Sequence, residues 1–305
     1  MRAYNEAKHL GRLLEGIQQQ TIKDVQIILV DSGSTDGTLT LAQRYPVEVV
    51  HIQPGEFTFG RSLNRGIAAA RHALVVIASA HVYPVYPDWL ERLLAPFVDP
   101  QVALTYGKQR GAPASKFSEQ QIFDRWYPNI SDLRQAHPFC NNANAAIRRS
   151  LWQQHPYDET LSGLEDLSWA HWAVQQGRFL AYAADAEIIH VHHENPRGVY
   201  NRYRREAMAF KRIYPNERFH LVHFFKLTLT NIASDIWQAA RRGRLAASFS
   251  SILWFRSMQF WGTYQGYRHT GPLSWQLRQT FYYPQAPQSP PDQPAREIDP
   301  IQYNE

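Results

Sequence analysis

One cysteine, Cys140, stands in 305 residues. That excludes an internal disulfide and a thiolate metal cluster, and it fits a reducing compartment. No apolar run reaches spanning length and no signal-peptide pattern is visible, so no membrane-crossing helix is expected. No internal repeat is visible either. What is present is ordinary apolar content, 44%, enough for a sizeable core in one large domain or a domain with an appendage. The net charge is +5 with a pI near 9.3. A basic balance suits anionic ligands, an anionic membrane surface or nucleic acid.

The chain is organised around Val25 to Thr38, VQIILVDSGSTDGT. The β-branched run Val25–Val30 predicts a strand buried on both faces. It stops at Asp31, and Ser32, Gly33, Ser34, Thr35, Asp36 and Gly37 make a turn, with Thr35 or Asp36 placed to cap the next helix. A strand that ends in a carboxylate and turns into a helix is how open α/β sheets build ligand crevices. The same pattern also serves as a plain β-to-α turn.

Before it, Asn5 can cap a helix carrying Leu10, Leu13, Leu14 and Ile17. The strand that should precede that helix is nearly absent. After it come a short helix at Thr38–Arg44, a strand at Val47–Ile52, a loop from Pro54-Gly55, a helix at Arg61–Arg71 and a strand ALVVIA at Ala73–Ala78. This alternation predicts a doubly wound, mainly parallel sheet. The third strand ends in Ser79-Ala80-His81, which sets Ser79 and His81 on one side. Gly111 to Gln135 reads as a mobile loop plus a helix, with Trp126 among its aromatics. Asn141, Asn142 and Asn144 follow; their amides suit sugar hydroxyls, or they make Asx turns.

Glu165-Asp166 opens a helix, where the macrodipole favours acids in any case. Arg178–Ala183 and Glu187–His193 read as two strands. His190 and His192 share a face at the end of the second and are metal-ligand candidates. Arg202 and Arg205 share a helix face and suit phosphate oxygens. From Phe219 onward, basic and aromatic residues interleave on helices. These helices can pack on the main domain, pair with a second copy as a homodimer, or lie at a membrane surface. From Pro284 the chain is rich in Pro and Gln and is expected to be disordered.

The order of these pieces, from Arg2-Ala3-Tyr4-Asn5-Glu6 through Val30–Thr38, Gly60–Gly66 and Gly163-Leu164-Glu165-Asp166 to His190, resembles the family-2 glycosyltransferases of the GT-A fold. The resemblance runs from Met1 to about Pro215. It implies a mixed, mainly parallel central sheet with helices on both faces at 1–215, a helical extension at 216–283 and a tail at 284–305. It implies a cytoplasmic enzyme, peripheral at the membrane if the extension meets it, that moves a sugar with inversion from a nucleoside-diphosphate sugar to a glycan or lipid-linked acceptor in surface or exopolysaccharide synthesis. Ala3, Tyr4, Glu6 and Asp31 would line the base and ribose pocket, Asn64 would complete the base side, and Ser32, Ser79 and Ala80 would also bind the nucleotide sugar, as would Arg202 and Arg205. Asp166, beside Glu165, would be the general base. Asn141, Asn142 and Trp126 would face the acceptor or sugar.

Two departures stand out. The family's Asp-x-Asp is Ser79-Ala80-His81 here. His81 and His190, with His192 in reserve, would hold a divalent metal, Mn²⁺ before Mg²⁺ because hard cations prefer oxygen. The alternative is a metal-free site in which Arg202 and Arg205 balance the diphosphate. The second departure is the missing first strand: the chain does without it or starts upstream, and an N-terminally extended chain is expected to be markedly more stable. A catalytically inactive nucleotide-sugar-binding or interaction protein of the same fold is the competing reading. A nucleic-acid binder is set aside, because no recognition module is present.

Overall fold

The structure is a computed structural model that describes residues 1–53, 56–192, 195–269 and 301–303. The Pro54-Gly55 loop start, His193 and Glu194, 270–283 of the expected extension and all of the expected tail except 301–303 lie outside the described residues.

The chain opens on a two-residue strand, β1 (Arg2–Ala3), and α1 (Ala7–Gln18), whose Leu10, Leu13 and Leu14 are buried. Next are β2 (Ile27–Asp31), α2 (Thr38–Ala42), β3 (Val47–His51), α3 (Phe59–Ala69) and β4 (Leu74–Ala78). β1, β2 and β3 run parallel in that order. Asn5 does not cap α1: it sits at φ +57° and its side chain accepts from the Thr35 backbone N–H. Thr38 Oγ1 accepts from Glu6 N–H and Asp36 from Ala7 N–H. The β2 turn and the start of α1 therefore fasten each other, and an acid sits at the positive end of the helix.

The second half adds β5 (Val82–Pro84), α4 (Trp89–Leu94), β6 (Val102–Gly111), α5 (Phe117–Trp126), β7 (Asp132–Gln135), β8 (Asn144–Arg148), α6 (Arg149–Gln154), α7 (Glu165–Gln175) and β9 (Phe179–His190). Its sheet has the order β4-β8-β6-β9-β5, with β7 beside β9, and mixes directions: β6–β9 is parallel, while β4–β8, β6–β8, β5–β9 and β7–β9 are antiparallel. The two strands expected over 178–193 are one strand. β9 bulges between Ala183 and Ile188 opposite Gly107 and Gln109 of β6, and the pairing then resumes, so β9 continues past Asp185 to His190. The helix expected within Gly111–Gln135 is α5, and it packs into the core rather than standing off it: its Phe117, Ile122 and Phe123 are buried.

Three helices follow, α8 (Pro196–Ile213), α9 (Leu221–Arg241) and α10 (Leu245–Arg268). Asn195 caps α8 with Pro196 at its first position. Gly262 and Gly266 let α10 lie against α8, since a Cβ on either would collide with the backbone carbonyl of Tyr200 or Arg204. Arg256 grips Asp235 of α9 through two hydrogen bonds, 2.7 and 3.0 Å, and donates to the Ser118 carbonyl of α5. Both partners are buried, and breaking such a pair leaves a bare charge at a cost of about 3–5 kcal/mol. The extension is thereby fixed to α5, whose Glu119 hydrogen-bonds His192 and Arg202 of the site described below. Ile301 donates to the Val85 carbonyl and Tyr303 to that of Pro84, so these residues of the expected tail dock beside β5.

Candidate active site

A cavity of about 400 Å³ opens where β1, the β2 turn, the ends of β4 and β9, the start of α7 and one face of α8 converge. Its wall includes Ala3, Tyr4, Glu6, Ser32, Ser79, His81, Asn141, Asn142, Glu165, Asp166, His190, His192, Arg202 and Arg205. Residues scattered from 3 to 205 in the chain thus meet in one place. Four expected residues do not line it. Asp31 is buried and its carboxylate accepts from Gly33 and Ser34 N–H, holding the turn that presents Ser32. Ala80 is fully buried in the core around α1 and β2. Asn64 clamps the 152–159 segment, donating to the Tyr157 carbonyl and Glu159 and accepting from Trp152 Nε1 and Tyr157 N–H. Trp126 lines a neighbouring cavity of about 400 Å³, which shares Phe139 and Leu167 with the first.

The three histidines converge. One ligating atom from each of His81, His190 and His192 lies within 4.8 Å of the others. β9 ends at His190, so His192 reaches the cluster from the chain beyond the strand, its ring centroid 4.0 Å from that of His190. Each ring is oriented through Nδ1: His81 to Glu6 Oε1 at 2.8 Å, His190 to Gln109 Oε1 at 2.8 Å and His192 to Glu119 Oε1 at 2.7 Å. On His190 the Gln109 acceptor places the proton on Nδ1 and leaves Nε2 its lone pair, the arrangement that metal-binding histidines use, whereas His192 Nδ1 also faces Arg202 Nη1 at 3.4 Å. Nε2 of His190 is buried with no hydrogen-bond partner among the described residues. His81 Nε2 lies 3.1 Å from Ser79 Oγ. Burial, then the neighbouring His192, His81 and Arg202 charges, hold His190 well below the usual imidazole range, so it stays neutral. An orphaned buried nitrogen among three aligned imidazoles fits a divalent transition metal.

Arg202 donates to Glu119 at 3.0 Å, and burial raises the Glu119 carboxyl while Arg202 opposes the shift. The Arg205 and Arg2 guanidinium groups lie over the Phe59 ring at 4.2 and 4.6 Å. Arg2 also donates to Glu165 at 3.2 Å.

Asp166 sits in the first turn of α7 and accepts from Asn142 N–H at 3.0 Å and Leu167 N–H at 2.8 Å. Burial, then the adjacent Glu165 charge, raises its carboxyl to about 7. A carboxylate poised there can take a proton from a neutral donor near physiological pH. Sequence reasoning missed Gln109, Glu119, Glu206 and Phe59. Glu119 and Glu206 are acids on helices with no local mark, and only the fold turns them inward.

The fold and the constellation of acids, arginines and histidines define a GT-A glycosyltransferase. Residues 1–155, half of the chain, match the glycosyl transferase family 2 model. The chain belongs to that family. It is similar to the O-antigen chain rhamnosyltransferase WbaN of Salmonella anatum, 30% identical over 61% of this chain and 62% of that one. It is also similar to RfbN of Salmonella typhimurium, 29% identical over 66% and 68%. The chain therefore spans about two thirds of the length of these relatives. In fold it resembles a Pyrobaculum calidifontis mannosyltransferase solved with GDP-Man and Mn²⁺, with a TM-score of 0.58 and 20% identity over 87% of this chain and 82% of that one. It likewise resembles Staphylococcus aureus TarS solved with UDP, with a TM-score of 0.52 and 16% identity over 73% and 66%.

Proposed function

We propose that the chain is an inverting glycosyltransferase that carries a sugar, with rhamnose the first candidate, from a nucleoside-diphosphate sugar to a hydroxyl of a lipid-linked or growing surface polysaccharide. The observation that carries this reading is a buried carboxyl raised to about 7 in the same cavity wall as three convergent imidazoles and two arginines. The rhamnosyltransferase relatives support the sugar and the pathway class.

Asp166 takes the acceptor hydroxyl proton as the oxygen attacks the anomeric carbon from the side opposite the diphosphate. The new C–O bond forms, the bond to the diphosphate oxygen breaks, and configuration inverts. Burial first, and then the neighbouring Glu165 held by Arg2, make Asp166 basic. Arg202 and Arg205 receive the charge on the departing diphosphate. His81, His190 and His192 would hold a divalent cation, Mn²⁺ in preference to Mg²⁺, whose charge offsets that of the leaving group. Ala3, Tyr4, Glu6 and Ser32 wall the nucleoside end, and the adjoining cavity with Trp126 and Phe139 receives the acceptor, beside Asn141 and Asn142.

Donor turnover tests the reading: dTDP-, GDP- and UDP-sugars are incubated with Mn²⁺ and a lipid-linked acceptor. Transfer from one donor with inverted anomeric configuration is expected. Tight nucleotide binding without transfer or hydrolysis would instead assign the chain to the inactive nucleotide-sugar-binding class.

Among the described residues no helix is long and apolar enough to cross a membrane. α9 nevertheless exposes Val222, Phe225, Leu229 and Trp237, with Arg241 stacked on Trp237. An apolar stripe with cations at its end suits peripheral contact with an anionic cytoplasmic leaflet that carries the acceptor. The full chain should float with anionic vesicles, and Phe225→Glu should lower the bound fraction about tenfold. Equal flotation would refute the contact, and a salt-resistant dimer lost in the variant would give this face to a second copy.

A further inference from the structure

The neighbouring cavity, which meets the catalytic one at Phe139 and Leu167, has a different chemistry. Leu167 directly follows Asp166, so this cavity leads away from the position of the base. Six aromatic rings stand in its wall: Tyr106, Trp126, Phe139, Tyr182, Phe210 and Tyr214. Tyr106 and Trp126 meet the Phe139 ring edge to face, with centroids 5.5 and 5.0 Å away, so the rings brace one another. At about 400 Å³ the cavity is more than twice the roughly 150 Å³ that holds a benzene-sized guest.

The buried polar side chains of this wall are already paired. Tyr106 Oη donates to Gln135 Oε1, Gln135 Nε2 donates to the His137 and Phe139 carbonyls at 2.7 Å each, and Tyr182 Oη donates to the Pro128 carbonyl at 2.7 Å. Charge is scarcer still. No Lys or Arg is among the described residues that line it, whereas Arg2, Arg202 and Arg205 line the catalytic cavity. Its one acid, Asp132, is exposed beside Ile130 and His137, where the cavity meets solvent. Desolvation lowers the His137 imidazole below its ordinary value, so it adds no cation near neutral pH.

A wall of this kind takes a neutral guest with flat apolar faces. The C–H faces of a pyranose lie on aromatic rings, and its hydroxyls, set round the rim, reach water at the open side. A diphosphate does not fit, because its charges would be desolvated beside an acid with no cation to pair them. A sugar carried directly on a lipid diphosphate holds that diphosphate one ring away from the hydroxyl that reacts. With that hydroxyl at Asp166, the next group along enters here, past Leu167 and Phe139. We propose that the cavity is a subsite for a neutral sugar unit, the one to which the accepting sugar is linked. The proposal rests on the reading of Asp166 as the base, and it narrows the acceptor to a glycan of two or more sugars. The reaction that supplies this acceptor is another glycosyl transfer, which has already added a sugar to the lipid-linked one. A single sugar on a lipid diphosphate is not the substrate.

The test is saturation-transfer NMR on the full-length chain, with the aromatic protons irradiated. The probes are the methyl glycosides of rhamnose, galactose, mannose and glucose, neutral methyl disaccharides built from them, and farnesyl diphosphate. At least one disaccharide should bind about tenfold more tightly than either of its sugars alone, with saturation on the C–H protons of the ring that carries the methyl group. Trp126→Ala should remove that gain. If Trp126→Ala fails to fold, Tyr214→Ala takes its place with the same loss expected. No gain for any disaccharide would overturn the proposal, as would a gain that survives in the folded variant. Farnesyl diphosphate binding that the variant removes would also overturn it and give the cavity to the lipid carrier. Nucleotide titration on the same samples keeps the two readings apart. Nucleotide binding without a disaccharide gain strikes only the subsite, and a disaccharide gain without nucleotide binding strikes only the transferase reading.

Discussion

Asp166→Asn is expected to lower sugar transfer about 10²–10⁴-fold while leaving nucleotide affinity within a few fold. The amide keeps the size of the carboxylate and can accept from Asn142 or Leu167 N–H, but it cannot take a proton from an attacking hydroxyl. In the wild type the rate constant should rise about tenfold per pH unit up to near 7, where the carboxyl ionises, and then level off. A second signature separates a buried base from a merely structural acid. The folded chain holds the Asp166 proton more tightly than the unfolded chain, whose carboxyl ionises near 3.9. Stability from this group is therefore present at low pH and is lost as pH rises from about 4 through 7. The melting temperature of the wild type minus that of the variant should fall between pH 5 and pH 8.5. A flat difference together with retained transfer would remove Asp166 from the base role.

His190→Ala should weaken Mn²⁺ binding by more than a hundredfold and take Mn²⁺-dependent transfer down with it. His190 lies between the other two imidazoles, and its Nε2 is the orphaned nitrogen of the cluster. Gln109→Ala leaves the ligand in place but frees its ring, so a 10–100-fold loss of metal affinity is expected. That intermediate effect matters. A cluster that only packs would show lower stability in both variants and no graded change in metal affinity. Mn²⁺ should support transfer better than Mg²⁺ in the wild type, because all three side chains offer nitrogen. Equal activity in the two metals would remove the preference for nitrogen ligands, and equal activity in chelator would leave the diphosphate to Arg202 and Arg205 alone.

Much of this site was legible before any coordinates. Val25–Thr38 announces a strand, an acid and a helix start because period, turn residues and apolar run agree locally. His81, His190 and the Glu165-Asp166 pair stand at element ends, where open α/β sheets place ligands. What could not be read depends on long-range register. Gln109 reaches His190 only through the bulge that lets β9 pair with β6 again past Asp185, and Glu119 reaches His192 because α5 packs inward, with Phe117, Ile122 and Phe123 buried. Asn64 misled for the reverse reason. It is placed as the motif suggests, yet four hydrogen bonds commit it to holding the 152–159 segment. Asp31 likewise secures the turn that presents Ser32. Asn5 gave up the helix cap because its side chain is better satisfied by Thr35 across the turn.

The central claim is that the imidazole cluster and the nucleotide pocket are one metal-dependent donor site. Titration calorimetry of UDP, GDP and dTDP, with and without Mn²⁺, on the wild type and on His190→Ala, tests it most directly. One nucleotide should bind tightly to the wild type in Mn²⁺, at least a hundredfold more weakly in chelator, and equally weakly to the variant under both conditions. Tight binding that ignores both Mn²⁺ and His190 would contradict the claim.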